Sequence, residues 1–111
     1  MTFDDVRRIA GAWPGVEDAT SYGRPALKVR GKLLTRLKED GDSLVVKGVG
    51  FEERDMLMAT EPDIFYITGH YRDWPIVLVR LSRAHPGTVE ALLFRHWKEI
   101  APKSLVRALA G

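Results

Sequence analysis

The run Thr68-Gly69-His70-Tyr71-Arg72-Asp73-Trp74-Pro75 sets an imidazole, a phenol, a guanidinium, a carboxylate and an indole within five residues. It leads into the apolar stretch Ile76-Val77-Leu78-Val79-Arg80-Leu81. Side chains of these types can move protons, bind anions or stack on a planar ligand. General-base work by His70 needs a nucleophile or carboxylate within hydrogen-bond reach. Asp73 is near in sequence, which does not make it near in space. The same run can serve instead as a conformational anchor, with Tyr71 and Trp74 closing the core and His70 tying the loop. The anchor is the reading adopted here.

The rest of the chain offers little to answer such a cluster. His70, His85 and His96 are separated by 15 and 11 residues. Those spacings match no metal motif, and no acidic cluster joins them. His96 lies on an apolar helical stripe and reads as a hydrogen-bonded core histidine. His85 precedes Pro86 and reads as a surface or cap residue. Ser21, Ser43, Ser82 and Ser104 sit in no nucleophile elbow. Gly48-Val49-Gly50 lies between a strand and a helix, where phosphate loops occur. It lacks the third glycine, and Glu52 and Glu53 would repel an anion there. There is no cysteine, so thiolate chemistry and disulfides are excluded, which fits a reducing compartment. The expectation is a non-enzymatic protein with no metal and no cofactor.

The elements that must carry these residues follow from periodicity. A chain of 111 residues, 45% hydrophobic and 29% charged, is expected to form one globular domain over 1–111. No apolar run approaches the ~18 residues of a membrane span, and no leader pattern opens the chain. A cytoplasmic protein with no membrane partner is expected. Thr2 caps a helix over 3–13, with Asp5 in the capping-box position. Ala26–Arg30, Leu33–Lys38 and Leu44–Lys47 alternate as strands of an antiparallel meander, and an earlier strand over Ala19–Tyr22 can precede them. Residues 51–60 form a second helix. Ile64–Ile67 and Ile76–Leu81 are two more strands. Pro86 opens a long helix carrying Val89, Leu92, Leu93, His96, Trp97 and Ile100 on one stripe, and Pro102 opens a last one. The order is α-β-β-β-α-β-β-α-α with room for one extra early strand. The class is α+β, with helices packed on one face of an antiparallel sheet.

Register sharpens this. One-sided burial requires Leu27, Val29, Leu33 and Leu37 to face the core together. An odd-length loop or bulge at Gly31 would achieve it. A four-residue loop Asp40–Ser43 would set Leu37 opposite Val46 and Arg36 opposite Lys47. The other face would then carry Lys28, Arg30, Arg36, Lys38 and Lys47, with Lys32 at the turn, Leu34 and Val45 among them, and Arg72, Arg80 and Arg83 nearby. Charge along the chain agrees: residues 24–47 hold seven cations and three anions, and residues 48–69 hold one cation and five anions. A basic sheet face can follow a phosphate backbone. It can also be a solvated face guarded by lysine.

Several blocks together carry a family resemblance. They are Trp13-Pro14-Gly15-Val16-Glu17, the run Gly23–Leu33, Ser43–Lys47, Glu61-Pro62, Gly69-His70-Tyr71, Pro75–Leu81 and Trp97 with Ala101-Pro102. In this order they resemble the MmcQ/YjbR family over nearly the whole chain. The resemblance implies a small α+β fold likened to secretion chaperones and frataxin-like domains. It also implies the DNA-binding label that members commonly carry, which rests on a fold-level analogy to a "double-wing" phage domain. It supplies no catalytic residues. His85 departs from the acidic helix cap of many relatives. Two readings remain. One is a DNA-binding protein with Lys28, Arg30, Lys32, Arg36, Lys38, Lys47 and Arg72 on double-stranded DNA. The other is a protein-interaction or small-ligand module using His70, Tyr71 and Trp74.

Overall fold

The computed structural model describes residues 1–110. The first helix, α1 (Phe3–Ala10), begins where expected: the Thr2 amide donates to the Asp5 carboxylate at 2.8 Å. It stops three residues earlier than the periodicity suggests. Gly11 caps it, and Trp13 and Val16 close two consecutive turns on Ala10 and Trp13 carbonyls. Trp13 thereby leaves the helix and packs edge-on against Phe94.

Four strands follow: β1 (Val16–Ser21), β2 (Arg24–Val29), β3 (Lys32–Leu37) and β4 (Ser43–Lys47). The early strand is therefore present, and it starts three residues before Ala19. After α2 (Phe51–Thr60) come β5 (Phe65–Tyr66), a 3₁₀ turn over Gly69–Tyr71, and β6 (Ile76–Arg80). The chain closes with α3 (Pro86–Ile100) and α4 (Lys103–Ala110). All strands pair antiparallel, in the order β1-β2-β3-β4-β6-β5. The result is an α+β domain in which all four helices contribute to one large core against the sheet.

Both early hairpins turn in two residues, Tyr22-Gly23 and Arg30-Gly31, each with positive φ at both positions. That geometry matches the right-handed twist of the flanking strands. The hairpin at Gly31 therefore has no odd loop. The correction to register is made further on, where Leu27 pairs with Thr35 and Lys28 with Leu33. Leu34 is the extra residue of this bulge. It turns inward and is fully buried in the core, while Leu33 takes the other face beside Lys28. The two leucines thus exchange the roles that simple alternation assigns them. In the next hairpin Leu37 faces Leu44 and Arg36 faces Val45. This is two residues from the expected register, a shift that preserves which side chains share a face.

Faces can now be assigned. Leu27, Val29, Leu34, Leu44, Val46, Val77 and Val79 line the helix side with Phe65 and Trp97. On the opposite side Val45 and Leu78 form a second apolar cluster with Tyr71, flanked by Tyr66 and Ile76. The central strands β4 and β6 are thus covered on both faces, and the cover on the far side is the loop between β5 and β6. Among the described residues no helix is long and apolar enough to cross a membrane.

Candidate functional site

The far face of the sheet is sorted by charge. Pairing places Glu17 with Lys28, Ala19 with Ala26, Arg36, Val45, Leu78 and Tyr66, and Ser43 with Arg80. Arg24 pairs with Ser21, and Lys38 hydrogen-bonds Ser43, so both join this face. With the start of the β3–β4 turn it carries Arg24, Lys28, Arg36, Lys38, Lys47 and Arg80, against the carboxylates Glu17, Glu39 and Asp40. Three of the expected basic residues occupy other positions. Lys32 pairs with Val29 and belongs to the helix side. Arg30 sits in the turn, and its Nε lies 3.7 Å from where a Cβ on Gly15 would stand, so it folds back toward the α1–β1 connection. Arg72 is exposed on the covering loop.

Arg36 lies on the far face and is not open to solvent. It is 9% exposed. One guanidinium nitrogen (Nη2) donates to the Tyr71 hydroxyl at 2.8 Å. The other (Nη1) has no hydrogen-bond partner among the described residues, and its nearest carboxylate, Glu39, is 3.9 Å away. The guanidinium also lies 5.1 Å from the ring of Tyr22. Lys38 stands 5.1 Å from the Tyr71 ring, and His70 meets that ring edge-on at 4.8 Å. Tyr22, Arg36, Lys38, Glu39, His70 and Tyr71 line a cleft of about 330 Å³.

Its acid Glu39 and the neighbouring Asp40 are held ionised. A hydrogen bond with its own backbone holds Glu39 below the ordinary carboxylate range. Burial opposes this, and Arg36, Lys38 and Arg24 reinforce it. Burial pushes Asp40 up, but the Ser43 hydroxyl and the amides of Asp42 and Ser43 outweigh it and keep the carboxyl low.

The loop over this face is fixed by a residue the sequence reading did not single out. Arg54, from α2, is 5% exposed. Its Nη1 reaches the carbonyls of Tyr71 (3.1 Å), Trp74 (2.8 Å) and Ile76 (3.3 Å), and its Nη2 reaches that of Arg72 (3.0 Å). A planar fork of donors suits such a set of convergent carbonyls. A signal was present: Arg54, Leu57 and Met58 fall at i, i+3 and i+4, on one helical face, and the last two pack on the core.

The anchor reading of the His70–Trp74 run is right for Tyr71, which is buried, and wrong for two of its members. Trp74 is 60% exposed and closes nothing. His70 is exposed and makes no hydrogen bond among the described residues, so Arg54 does the tying. One other expectation changes, and the reading of His85 holds. His96 is buried in α3, and among the described residues neither ring nitrogen is hydrogen-bonded, Glu99 standing 3.7 Å from Nδ1. Burial lowers its pKa, which Glu99 opposes and Lys47 and Arg95 reinforce. His85 is exposed at the α3 cap position and makes no side-chain cap bond. A second missed arginine, Arg95, binds Glu53 bidentately at 3.0 and 2.6 Å and joins α3 to α2.

Comparison with known proteins places the chain. The YjbR family model matches residues 11–99. The uncharacterized protein Rv2570 of Mycobacterium tuberculosis is 31% identical over 121 residues, covering 96% of this chain and 94% of the relative. The uncharacterized protein Mb2600 of Mycobacterium bovis matches to the same extent. The crystal structure of Deinococcus radiodurans protein DR2400, a DUF419 domain, superposes with a TM-score of 0.74 at 18% identity, over 98% of this chain and 88% of that one. At that identity the likeness is one of fold.

Proposed function

The chain belongs to the YjbR family, and from that premise we propose that it binds double-stranded DNA through the far face of its sheet. The observation that carries this reading is the excess of positive charge on that face: Arg24, Lys28, Arg36, Lys38, Lys47 and Arg80 against Glu17, Glu39 and Asp40. Phosphate neutralisation dominates nucleic-acid affinity, and such a face supplies it without reading sequence. Arg36 is buried, so the contacts fall to the other five. They lie toward the two ends of the strands, while Tyr71 covers the apolar middle at Val45 and Leu78. Arg24 and Lys28 stand four residues apart on β2. That is about 13 Å along a strand, close to the ~12 Å width of the major groove. The covering loop can then stand in a groove while cations on either side meet its phosphate walls.

The test is fluorescence anisotropy with a mixed-sequence duplex at two salt concentrations. Micromolar or weaker affinity that falls steeply with salt is expected. Removing one cation from the phosphate backbone should reduce the slope of log K against log salt by about 0.9. The double variant Lys28→Glu/Lys47→Glu should therefore flatten it by about 2. The control Lys103→Glu/Arg107→Glu on α4 should leave it unchanged. No binding at the lower salt concentration would overturn the reading.

A further inference from the structure

We propose that His96 is a pH-sensitive latch: on taking up a proton it opens the junction between β4 and α2 and frees the loop that covers the far face. This does not rest on the duplex reading, because it concerns how the cover is held and not what it meets.

Three observations carry it. The first is the setting of the ring. His96 is 7% exposed, and both ring nitrogens are buried without a hydrogen-bond partner among the described residues. An imidazolium donates from both nitrogens, so the charged form is costly in that place. The ring lies against Gly48, where an added Cβ would stand 2.8 Å from Nδ1 and 3.3 Å from the Glu99 carboxylate. The second is charge. Glu99 and Arg95 on α3 and Lys47 at the end of β4 act on the ring, and Glu53 of α2 is paired with Arg95. These two cations and two carboxylates balance while the imidazole is neutral. A proton on His96 adds an unanswered charge, for the Glu99 carboxylate stays 3.7 Å from Nδ1 and its side chain is half exposed to water. Burial, reinforced by Lys47 and Arg95, keeps the ring neutral against the pull of Glu99. The third is what Gly48 leads to. Arg95 holds the Gly48 carbonyl at 3.3 Å. The next amide, that of Val49, donates to the Pro75 carbonyl at 3.1 Å. Arg54 of α2 then clamps the carbonyls of Tyr71, Arg72, Trp74 and Ile76. α2 itself is held lightly: Arg54 is its one buried residue, with Leu57 and Met58 partly buried on the core. Segments with few buried apolar contacts open at the lowest free energy. Moving α2 and its junction lets water reach the imidazolium, and the same motion withdraws Arg54 and Val49 from the loop.

The experiment follows amide exchange in the full chain at about pH 7.5 and about pH 5.5, each rate divided by its intrinsic value at that pH. The amides of Val49, Arg54, Tyr71 and Ile76 should exchange faster than those of Val45 and Val77, because the lightly held segment opens without the sheet. One unit below the ordinary imidazole value of 6.5, an open state that accepts the proton gains at most about tenfold. Protection in the faster set should therefore fall about three- to tenfold at the lower pH. His96→Leu should abolish that fall. His85→Ala, which removes the exposed imidazole 3.9 Å from Glu61, should leave it intact. Glu99→Gln takes away the carboxylate that favours the charged ring and should bring the fall closer to tenfold. It also keeps the proposal testable if the leucine variant does not fold. Unchanged or raised protection in the faster set would mean that Glu99 swings onto the ring and tightens the junction, and the latch would be wrong. A fall confined to Val45 and Val77 would mean that His96 is uncovered only when the whole domain unfolds, which overturns it as well. So would a fall that survives His96→Leu or shrinks in Glu99→Gln.

Discussion

Replacing Arg54 by Met isolates the clamp on the covering loop. Methionine retains an apolar stem of similar reach and removes all four hydrogen bonds to the carbonyls of residues 71, 72, 74 and 76. The bond to Tyr71 lies in buried surroundings, and the other three are only partly buried. An unpartnered buried carbonyl costs about 1–3 kcal/mol. The carbonyls of Arg72, Trp74 and Ile76 can regain water, so they add less. The desolvation of the guanidinium, relieved by the substitution, subtracts from the total. The net loss should be about 2–4 kcal/mol. For a domain of this size that corresponds to a fall in Tm of roughly 8–16 °C. Urea unfolding followed by circular dichroism measures the loss, and amide exchange over residues 69–76 locates it. Arg54→Lys keeps the charge, but one ammonium cannot span the four acceptors, so it should recover less than half. A loss under about 0.5 kcal/mol, with the loop amides still protected, would refute the clamp.

Three further outcomes are expected. Gly48 has φ +76°, and an added Cβ would stand 2.8 Å from the His96 ring, whereas Gly31 has φ +83° and open space around it. In thermal melts Gly31→Ala should therefore cost only the backbone term, about 1–2 kcal/mol, and Gly48→Ala about 1–3 kcal/mol more. The depressed pKa of His96 makes stability fall with acidity. Above about pH 6.5 the imidazole is neutral folded or unfolded. Below it the unfolded chain takes up a proton that the folded chain resists. Denaturation midpoints should drop from about pH 6.5 toward pH 5, and His96→Leu should remove that slope. Trp74→Ser should change stability by less than about 0.5 kcal/mol, since the indole is exposed, while Tyr71→Ala should cost about 3–5 kcal/mol by uncovering Val45 and Leu78.

Alternation of side chains made most of the sheet legible. Leu37 and Val46 were placed on the core side, and Arg36, Lys38, Val45 and Lys47 on the other, from period two alone, and the pairing agrees. The reading failed at Leu33 and Leu34 because a bulge is decided by what packs on the strand, here α3, and not by the strand itself. It failed at Trp74 because an aromatic residue before proline says only that the backbone is extended. His96 was read as bonded because buried polar groups usually are. Its own helix offers Glu99 at i+3, but at 3.7 Å from Nδ1 that carboxylate stops short of a hydrogen bond.

The larger misreading was to equate the far face with an open face. Leu44-Val45-Val46 and Ile76-Val77-Leu78-Val79 are continuous apolar runs, and such runs mark strands buried on both sides. Two central strands of this kind require a cover, and the segment entering β6 is the one that provides it. The His70–Trp74 run is thus positioned by the apolar content of its neighbours, and its cover displaces cations to the margins of the sheet. Arg36 alone stays beneath it, bonded to Tyr71. Tyr71→Phe consequently tests this division. It keeps the ring over Val45 and Leu78 and removes only the hydroxyl that holds Arg36, a hydrogen bond to a charged group worth about 1.5–3 kcal/mol. The urea midpoint should fall accordingly. Duplex affinity rests on the marginal cations and should be unchanged. A loss of duplex affinity as large as that of Lys28→Glu/Lys47→Glu would mean that Arg36 itself meets the phosphates, and the division between a covered middle and a cationic margin would be wrong.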